Sequence, residues 1–317
     1  AEFVKEITEG KLDFTWPVQV NKMLVDEDWD LILSVGQVVP HEVVGMANHN
    51  KNIFVGTGGP EGINKSHYVG AVYGMERMMG RADTPVRRLF NYASDHYGKN
   101  LPIFYVLTVI GEDANSNKTV KNIFCGSGKE CFVEAAKLAL QENFIMLEKP
   151  LKKVVVYLDP DEFKSTWLGN KSIYRTRMAM EDEGELIVIA PGLVEFGEDK
   201  EIDRLIRKYG YRSTPEILDF VENNDELKNN LSAAAHLIHG TSEGRFTIRY
   251  CPGKGSENLS REDIEGVGFE WGDIDEYKEL YPIENIQSGK NISSNREEFY
   301  YIPNPALGLW SSRKRFE

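Results

Sequence analysis

Three reactive side chains stand close together in the segment from residue 35 to residue 67. His41 follows a proline, Lys51 comes ten residues later, and His67 comes sixteen residues after the lysine. A histidine can take and return a hydroxyl proton near neutral pH, or offer a ring nitrogen to a metal. A lysine with a buried stem can act as a nucleophile or a covalent anchor. The apolar pattern stops wherever one of these groups appears, which is typical of a functional loop.

Strand-like and helical stretches alternate around this segment. The sequence predicts strands at 30–35, 52–57, 103–111 and 120–126, and helices near 68–79, 86–97 and 129–148. His67 falls at an expected helix start, where the helix dipole disfavours the protonated imidazole and leaves a ring nitrogen for a metal. The alternation predicts an α/β fold.

The chain is long enough for two domains. It has 317 residues, of which 41% are apolar, and can bury a sizeable core. The stretch LEKPLKK is typical of a linker and predicts a first domain at 1–148 and a second α/β domain at 149–295. The second domain begins with the strand-like run KKVVVYL, and a helix is expected near 171–180. Residues 296–317 form an aromatic, proline-bearing tail that we expect to pack back on the first domain.

Composition argues against several classes of protein. A net charge of −13 disfavours a nucleic-acid binder, because no basic stripe is present to neutralise phosphates. Three cysteines predict a reducing compartment and no disulfide framework. No run approaches the roughly eighteen apolar residues of a membrane span, and the opening residues lack the order of a signal peptide. We expect a cytoplasmic protein without membrane or nucleic-acid partners that acts on a small molecule.

The order Pro-His, Gly, Lys-Asn-Ile-Phe-Val-Gly and a later histidine resembles the nickel-dependent lactate racemase family, and in it a sugar-acid branch. The resemblance covers most of the chain, and its motif lies between residues 30 and 67. It implies two α/β domains with the active site in a cleft between them. It also implies that Lys51 covalently anchors a nickel-pincer nucleotide, that His67 ligates the nickel and that His41 is one of two acid/base groups. Cofactor-synthesis enzymes would then be partners.

The activity implied by this resemblance is that of an isomerase, a racemase or epimerase that inverts C2 of a 2-hydroxy acid. Hydride transfer to and from the cofactor carries the difficult step, since the hydrogen on C2 is a poor acid. The polar loop Asn48-His49-Asn50 favours aldonic acids such as mannonate or gluconate over lactate. In the second domain, residues 167–171 are the nearest counterpart of the family's Tyr-Gln-x-x-Lys. Lys171 is therefore expected to bind substrate, although Leu168 replaces the glutamine.

The chain departs from the family pattern at two places. Ser-Gly-Gly-x often precedes the family's lysine, whereas Ala47, Asn48, His49 and Asn50 precede Lys51 here. Glycine alone takes positive φ without cost, although Asn and His tolerate it better than most residues. The family's upstream half, with Asp-x-Thr-Arg-Pro and the second acid/base histidine in Gly-Thr-His-Arg-Pro, does not occur in the sequence. We therefore expect a missing N-terminal part.

Two other functions remain open. A zinc or iron hydrolase or lyase would use His41, His67 and a carboxylate from Glu42 or Glu61 as ligands, but it leaves Lys51 without a role. The second open function is that of a non-catalytic subunit that binds a small acid or a nucleotide.

Two further motifs have competing interpretations. The amides of Gly56, Gly58, Gly59 and Gly62 suit a phosphate, although turns use glycine in the same way. His236 and His239 share one face of an expected helix, where a structural role is favoured over metal binding.

Overall fold

The computed structural model describes residues 1–26, 28–113 and 117–316. The chain divides into two compact units, Ala1–Phe144 and Ile145–Glu317. Each unit combines helices with a sheet that contains parallel strands, so the predicted α/β fold class is confirmed. Within the described ranges no helix has both the length and the apolar character that a membrane crossing needs.

The first unit is built on a three-stranded sheet. Its elements are α1 (Glu2–Ile7), a 3₁₀ turn (Lys22–Leu24), β1 (Ile32–Gln37), β2 (Pro40–His41), β3 (Gly45–Met46), a π-helical turn (Asn52–Gly56), α2 (Pro60–Tyr73), α3 (Met75–Met78), α4 (Pro85–Ala93), a second π-helical turn (Ser94–Gly98), β4 (Ile103–Glu112), β5 (Lys118–Gly126) and α5 (Glu130–Asn143). The strand order is β1-β4-β5, with β1 parallel and β5 antiparallel to β4. The short strands β2 and β3 form a separate hairpin.

The two faces of this sheet differ in burial. Leu107 and Val109 of β4 are fully buried on the inner face, against which α5 packs. The outer face is exposed: Leu33 and Val35 of β1 and Ile123 of β5 are 58%, 62% and 53% exposed. Sheets with parallel strands are usually covered on both faces, so this apolar outer face is unusual.

The prediction of a strand at 52–57 is wrong, because the chain forms a π-helical turn there. The neighbouring side chains of Ile53 and Phe54 are both buried in the core, at 4% and 3% exposure. A strand would turn two adjacent side chains to opposite faces of its sheet, whereas a helical turn can bury both. The turn closes with a bond from the Thr57 N–H to the Asn52 carbonyl.

Two predicted helix boundaries also shift. The helix expected near residue 68 begins at Pro60, which is the first residue of α2 because proline suits the first turn of a helix. The helix expected to run to residue 148 ends at Asn143, and Phe144–Leu147 form the strand β6.

The second unit contains a six-stranded sheet. Its elements are β7 (Leu151–Tyr157), α6 (Thr166–Gly169), α7 (Lys171–Tyr174), β8 (Met180–Ala190), α8 (Lys200–Tyr209), α9 (Thr214–Asn223), α10 (Asp225–Lys228), α11 (Leu231–His239), β9 (Thr247–Pro252), α12 (Arg261–Gly266), β10 (Glu270–Trp271), α13 (Ile274–Leu280), a 3₁₀ turn (Ile283–Asn285), β11 (Gly289–Ile292), β12 (Glu298–Ile302), β13 (Leu309–Ser312) and α14 (Arg313–Phe316). The order is β10-β9-β8-β7-β12-β11, and only the β11–β12 pairing is antiparallel among these described strands.

The central strands of this sheet are buried on both faces. Val154, Val155 and Val156 of β7 have no exposed surface, as expected for a parallel sheet with helices on each side. The predicted helix near 171–180 is replaced by the short α6 and α7, and β8 already begins at Met180. Residues 296–317 lie in the second unit, where β12 extends the sheet beside β7.

Candidate functional site

The chain leaves β1 at Gln37 and enters the segment that carries His41 and Lys51. Because β1 runs parallel to β4, this segment starts at the carboxyl end of a parallel strand pair, where α/β folds place their ligand sites. His41 pairs with Gly45 in the β2–β3 hairpin. Gly45 has φ 84°, and a Cβ there would collide with the Arg81 carbonyl, so only glycine fits this turn.

The ring nitrogens of His41 have defined surroundings. The Val43 N–H donates to Nδ1 at 3.1 Å, so in this arrangement the neutral ring carries its proton on Nε2. The Glu42 carboxylate lies 3.7 Å from the same Nδ1, and the two side chains are only 16% and 19% exposed. His41 therefore sits beside a partly buried carboxylate, which can accept from Nδ1–H only in the other tautomer, in which the Val43 N–H no longer donates to Nδ1.

Lys51 is a half-buried lysine directly before the π-helical turn. Burial lowers its pKa, the Glu42 carboxylate raises it, and the positive charge of Arg87 lowers it further. Within the described residues the Lys51 amine makes no hydrogen bond and no ion pair. An amine with a lowered pKa and no protein partner is suited to react with a ligand.

His67 lies in the middle of α2, so the expectation that it stands at a helix start is wrong. Its Nδ1 is 2.8 Å from the Ile63 carbonyl one turn earlier, to which it can only donate. That bond leaves the lone pair of Nε2 for another ligand. Burial is the main cause of the lowered pKa of His67, in place of the helix dipole that the sequence suggested.

His67, Lys51 and Glu42 belong to one site. The charge of Lys51 lowers the pKa of His67, and the Glu42 carboxylate raises the pKa of both residues. Since Glu42 also lies against His41, the structure brings together all three first-domain residues that the sequence predicted. Sequence reasoning considered Glu42 only as a metal ligand and did not identify its electrostatic interaction with Lys51 and His67.

The segment that leads into Lys51 has a left-handed backbone at two positions. Asn48 has φ 71° and His49 has φ 59°, the two places where the lactate racemase motif often has glycines. The Asn48 side chain fixes this shape, because its Nδ2 donates to the Gln37 carbonyl and its Oδ1 accepts from Asn52. Gly36 leaves the room that the Asn48 side chain occupies. Asn and His thus keep a conformation that glycine would adopt at lower cost.

The same polar loop was expected to bind substrate hydroxyls, and the structure contradicts that expectation. Asn48, His49 and Asn50 are 5%, 4% and 0% exposed. Asn50 Nδ2 donates to Asn91 at 2.8 Å, and His49 Nε2 lies 3.2 Å from the Gly128 carbonyl. Most polar atoms of these side chains are bonded within the protein because the loop is packed into the first unit, so the loop gives no argument for an aldonic acid over lactate.

Arg87 of α4 contacts this loop and was not identified from the sequence. It is 1% exposed and donates to the backbone of Met46 and Asn48 and to the Asn50 side chain. Burial lowers its pKa to about 9. No local pattern signals this role, since an arginine in an amphipathic helix is usually exposed.

Lys171 lies in the second unit, at the first residue of α7. Its amine is 5.8 Å from the centre of the Phe163 ring. Leu168, which replaces the family's glutamine, is 39% exposed, whereas Asn170 is fully buried and accepts a 2.7 Å bond from the Tyr250 hydroxyl.

His236 forms part of a buried polar network near this segment. Its Nε2 lies 2.8 Å from the Tyr211 hydroxyl, and its ring packs on Trp167 with centroids 4.5 Å apart. The Tyr211 hydroxyl also lies 2.8 Å from Thr166 Oγ1. These contacts favour the structural role expected for His236.

The glycines considered for phosphate binding are partly used within the first unit. The Gly62 N–H donates to the Gln19 side chain at 3.1 Å, and the Gly58 N–H donates to the Val55 carbonyl at 3.2 Å. Across the described ranges, no three or more His, Cys, Asp or Glu side chains are grouped to hold a metal ion. His67 therefore belongs to no such group of three within these ranges.

Comparison with known proteins gives similarity in structure alone. No family model and no curated protein matches the chain. A Thermotoga maritima protein solved by a structural genomics consortium matches 99% of this chain and 74% of its own, with a TM-score of 0.80 and 21% identity. The lactate racemase apoprotein from Thermoanaerobacterium thermosaccharolyticum matches 92% of this chain and 64% of its own, with a TM-score of 0.67 and 16% identity. The chain therefore has a lactate racemase-like fold and spans about 64% of that racemase.

Proposed function

We propose that the protein is a racemase or epimerase that inverts C2 of a 2-hydroxy acid with a nickel-pincer nucleotide anchored on Lys51. One observation carries the proposal: Lys51, His67 and the Glu42–His41 pair share one site in a lactate racemase-like fold. Sugar acids remain one class of substrate to test, with lactate as another.

The residues present fit such a cofactor. Lys51 offers an amine with a lowered pKa, and within the described residues that amine has no competing partner. His67 directs Nδ1 at the Ile63 carbonyl, which leaves Nε2 for a metal. A metal held by fewer than three protein ligands must take the others from a bound molecule, as a pincer nucleotide would provide. Zinc enzymes instead use three protein ligands.

When bound, the nickel-pincer nucleotide would accept a hydride from C2 and return it to either face. The protein must then move the proton of the C2 hydroxyl. To accept that proton at Nε2, His41 must carry its ring proton on Nδ1, which faces the Glu42 carboxylate at 3.7 Å. The structure shows the other arrangement, in which the Val43 amide donates to Nδ1. Catalysis by His41 therefore requires that the ring proton move from Nε2 to Nδ1, the nitrogen that faces Glu42.

Lys171 would bind the substrate carboxylate. Anionic substrates need local positive charge in a chain of net charge −13, and a lysine supplies it. Replacement by methionine, Lys171→Met, should raise KM roughly tenfold or more, in keeping with the loss of one charged hydrogen bond, while kcat changes little. An unchanged KM would remove Lys171 from the site.

The test is mass spectrometry of the full-length gene product, co-expressed with cofactor-synthesis enzymes. We expect an adduct on the peptide that contains Lys51, together with bound nickel and interconversion of the two enantiomers of a 2-hydroxy acid. Lys51→Arg should lose the adduct, and Lys65→Arg, at an ion-paired lysine in α2, should keep it. An unmodified Lys51 with bound zinc or iron would favour the hydrolase or lyase. An unmodified, metal-free protein that binds a small acid would favour the non-catalytic subunit.

A further inference from the structure

We propose that Arg87 is the positioning residue of Lys51, because it fixes the backbone of residues 46–50 that leads into the lysine. The inference rests on the proposed role of Lys51 as the cofactor anchor. It adds Arg87 of α4 to the candidate site, a residue that lies outside the motif between residues 30 and 67.

The guanidinium of Arg87 binds three points of the loop. Nη2 donates to the Met46 carbonyl at 2.6 Å, both terminal nitrogens donate to the Asn48 carbonyl at 3.2 Å, and Nη1 donates to Asn50 Oδ1. The group also lies 4.0 Å from the centre of the Phe132 ring. Its planar fork is thus fixed by packing, and it reaches alternate residues of the loop at once.

The loop needs such a restraint because its backbone is strained. Asn48 and His49 both have positive φ, which costs a non-glycine residue roughly 1–2 kcal/mol. The acceptors of Arg87 lie on either side of the strained pair, at Met46 and Asn50, and on Asn48 itself. Without these bonds the loop can relax, and the direction of the Lys51 side chain is no longer fixed.

Arg87 is a poor choice for stability alone. Among the described residues it has no carboxylate partner, and its buried Nε–H has no hydrogen-bond acceptor. A buried, unpaired charge usually costs more than a well-packed apolar side chain of similar size. The cost is understandable if the arginine serves the site.

The charge of Arg87 supports the same role. It lowers the pKa of Lys51, as burial does, whereas the Glu42 carboxylate raises it. The charge of Lys51 in turn lowers the pKa of His67. A positive charge fixed near Lys51 keeps more of the amine unprotonated, and only the unprotonated amine is a nucleophile.

The experiment is competitive acetylation of the folded protein with limiting acetic anhydride, read by quantitative peptide mass spectrometry between pH 6 and pH 10. Lys65 is the internal reference for reagent and pH. The variants are Arg87→Met, which removes the fork and the charge, and Arg87→Lys, which keeps the charge and loses the fork. Arg88→Met is the matched control, because Arg88 is the exposed neighbour on α4 and pairs with Asp83 at 2.6 Å. Circular dichroism checks that each variant is folded.

We expect Arg87→Met to lower the Lys51 to Lys65 labelling ratio at pH 7 severalfold and to move the Lys51 midpoint to higher pH, because the loss of the Arg87 charge raises the pKa of Lys51. Arg87→Lys should also lower the ratio, with a smaller shift of the midpoint, and Arg88→Met should match the wild type. Folded Arg87 variants with wild-type labelling of Lys51 would overturn the inference, as would full rescue by Arg87→Lys.

A second variant covers the case in which both Arg87 variants unfold. Asn50→Ala removes an acceptor of Arg87, together with the bonds that Asn50 donates to Asn91 and Ser94, and leaves the guanidinium in place. It should therefore lower the Lys51 ratio in the same direction by a smaller factor. An unchanged ratio in a folded Asn50→Ala protein would then count against positioning by Arg87. The protein for this experiment is expressed without cofactor-synthesis enzymes, so that Lys51 is a free amine. The labelling results therefore do not depend on whether Lys51 can carry a pincer nucleotide.

Discussion

Gly70 of α2 approaches Val43 so closely that a Cβ on the glycine would lie 2.7 Å from the Val43 carbonyl oxygen. His67 precedes Gly70 by nearly one helical turn, and His41 lies two residues before Val43. The absent side chain of Gly70 therefore allows the helix that carries the candidate metal ligand to pack against the hairpin that carries the candidate acid/base group.

Gly70→Ala should force these two elements apart. A contact below normal van der Waals distance against a backbone oxygen cannot be relieved by a rotamer change, so we expect a loss of roughly 1–3 kcal/mol in unfolding free energy. Urea denaturation measures it. Gly266→Ala in α12 is the control, because a Cβ there meets no atom within 4 Å. Equal stability of Gly70→Ala and wild type would show that the helix can move at no cost.

His49 should make the first unit sensitive to acid. Burial lowers the pKa of His49 from 6.5 to about 4, so between these values the unfolded chain binds a proton that the folded chain does not. The contribution of His49 to the unfolding free energy is therefore fully present above pH 6.5. It falls as the pH drops toward 4, by up to about 3 kcal/mol. Urea titrations at pH 7.5, 5.5 and 4.5 measure the loss.

The matched variants for this effect are His49→Asn and His96→Gln. Asparagine tolerates the left-handed backbone of His49 and does not titrate, so His49→Asn should reduce the pH dependence even if its stability at pH 7.5 is lower. His96 is an exposed histidine of the same unit, and its replacement should leave the slope as in the wild type. The same pH dependence in His49→Asn and wild type would assign the effect to other groups.

Asn48→Gly should be more stable than Asn48→Ala. Both variants lose the side-chain bonds to Gln37 and Asn52, so they differ mainly in the cost of φ 71°. Glycine avoids roughly 1–2 kcal/mol of backbone strain there. Part of this gain is offset because glycine loses more conformational entropy than alanine when the chain folds. Denaturant melts should rank glycine above alanine by about 0.5–1 kcal/mol. At position 50, which lacks a positive φ, alanine should rank above glycine.

His67→Ala should separate metal binding from covalent attachment. The Lys51 amine remains after this change, so the adduct on Lys51 should persist while nickel content falls, because one protein ligand is lost. Peptide mass spectrometry and elemental analysis of the same sample measure the two effects. Loss of both adduct and nickel in a folded variant would mean that His67 is needed for attachment, and retention of both would remove it as a ligand.

The sequence indicated the strands and the site because their patterns are local. The strand-like runs at 103–111 and 120–126 became β4 and β5, and the resemblance to the lactate racemase family implied a shared site for His41, Lys51 and His67. The π-helical turn was missed because its type depends on burying two adjacent side chains, Ile53 and Phe54, which is a property of the tertiary core.

The roles of two residues of the site could not be predicted from local patterns, for a different reason. Asn50 is a polar loop residue of the type that often binds ligands. Only its contacts with Asn91 and Arg87 show that its side chain is hydrogen-bonded within the protein. Arg87 itself lies in a helix with other charged residues, and its burial follows from partners that are remote in sequence. Long-range hydrogen bonds of buried polar groups leave no periodic signal in the chain.

The exposed apolar face of the three-stranded sheet bears on the colloidal behaviour of the purified chain. At low ionic strength, repulsion between molecules of net charge −13 acts over a Debye length of roughly 30 Å and keeps such faces apart. Near 0.15 M salt that length falls to about 8 Å, while the attraction between Leu33, Val35 and Ile123 of neighbouring molecules is undiminished. Light scattering should therefore rise with added salt, and dilute buffer is the condition in which single chains are best studied.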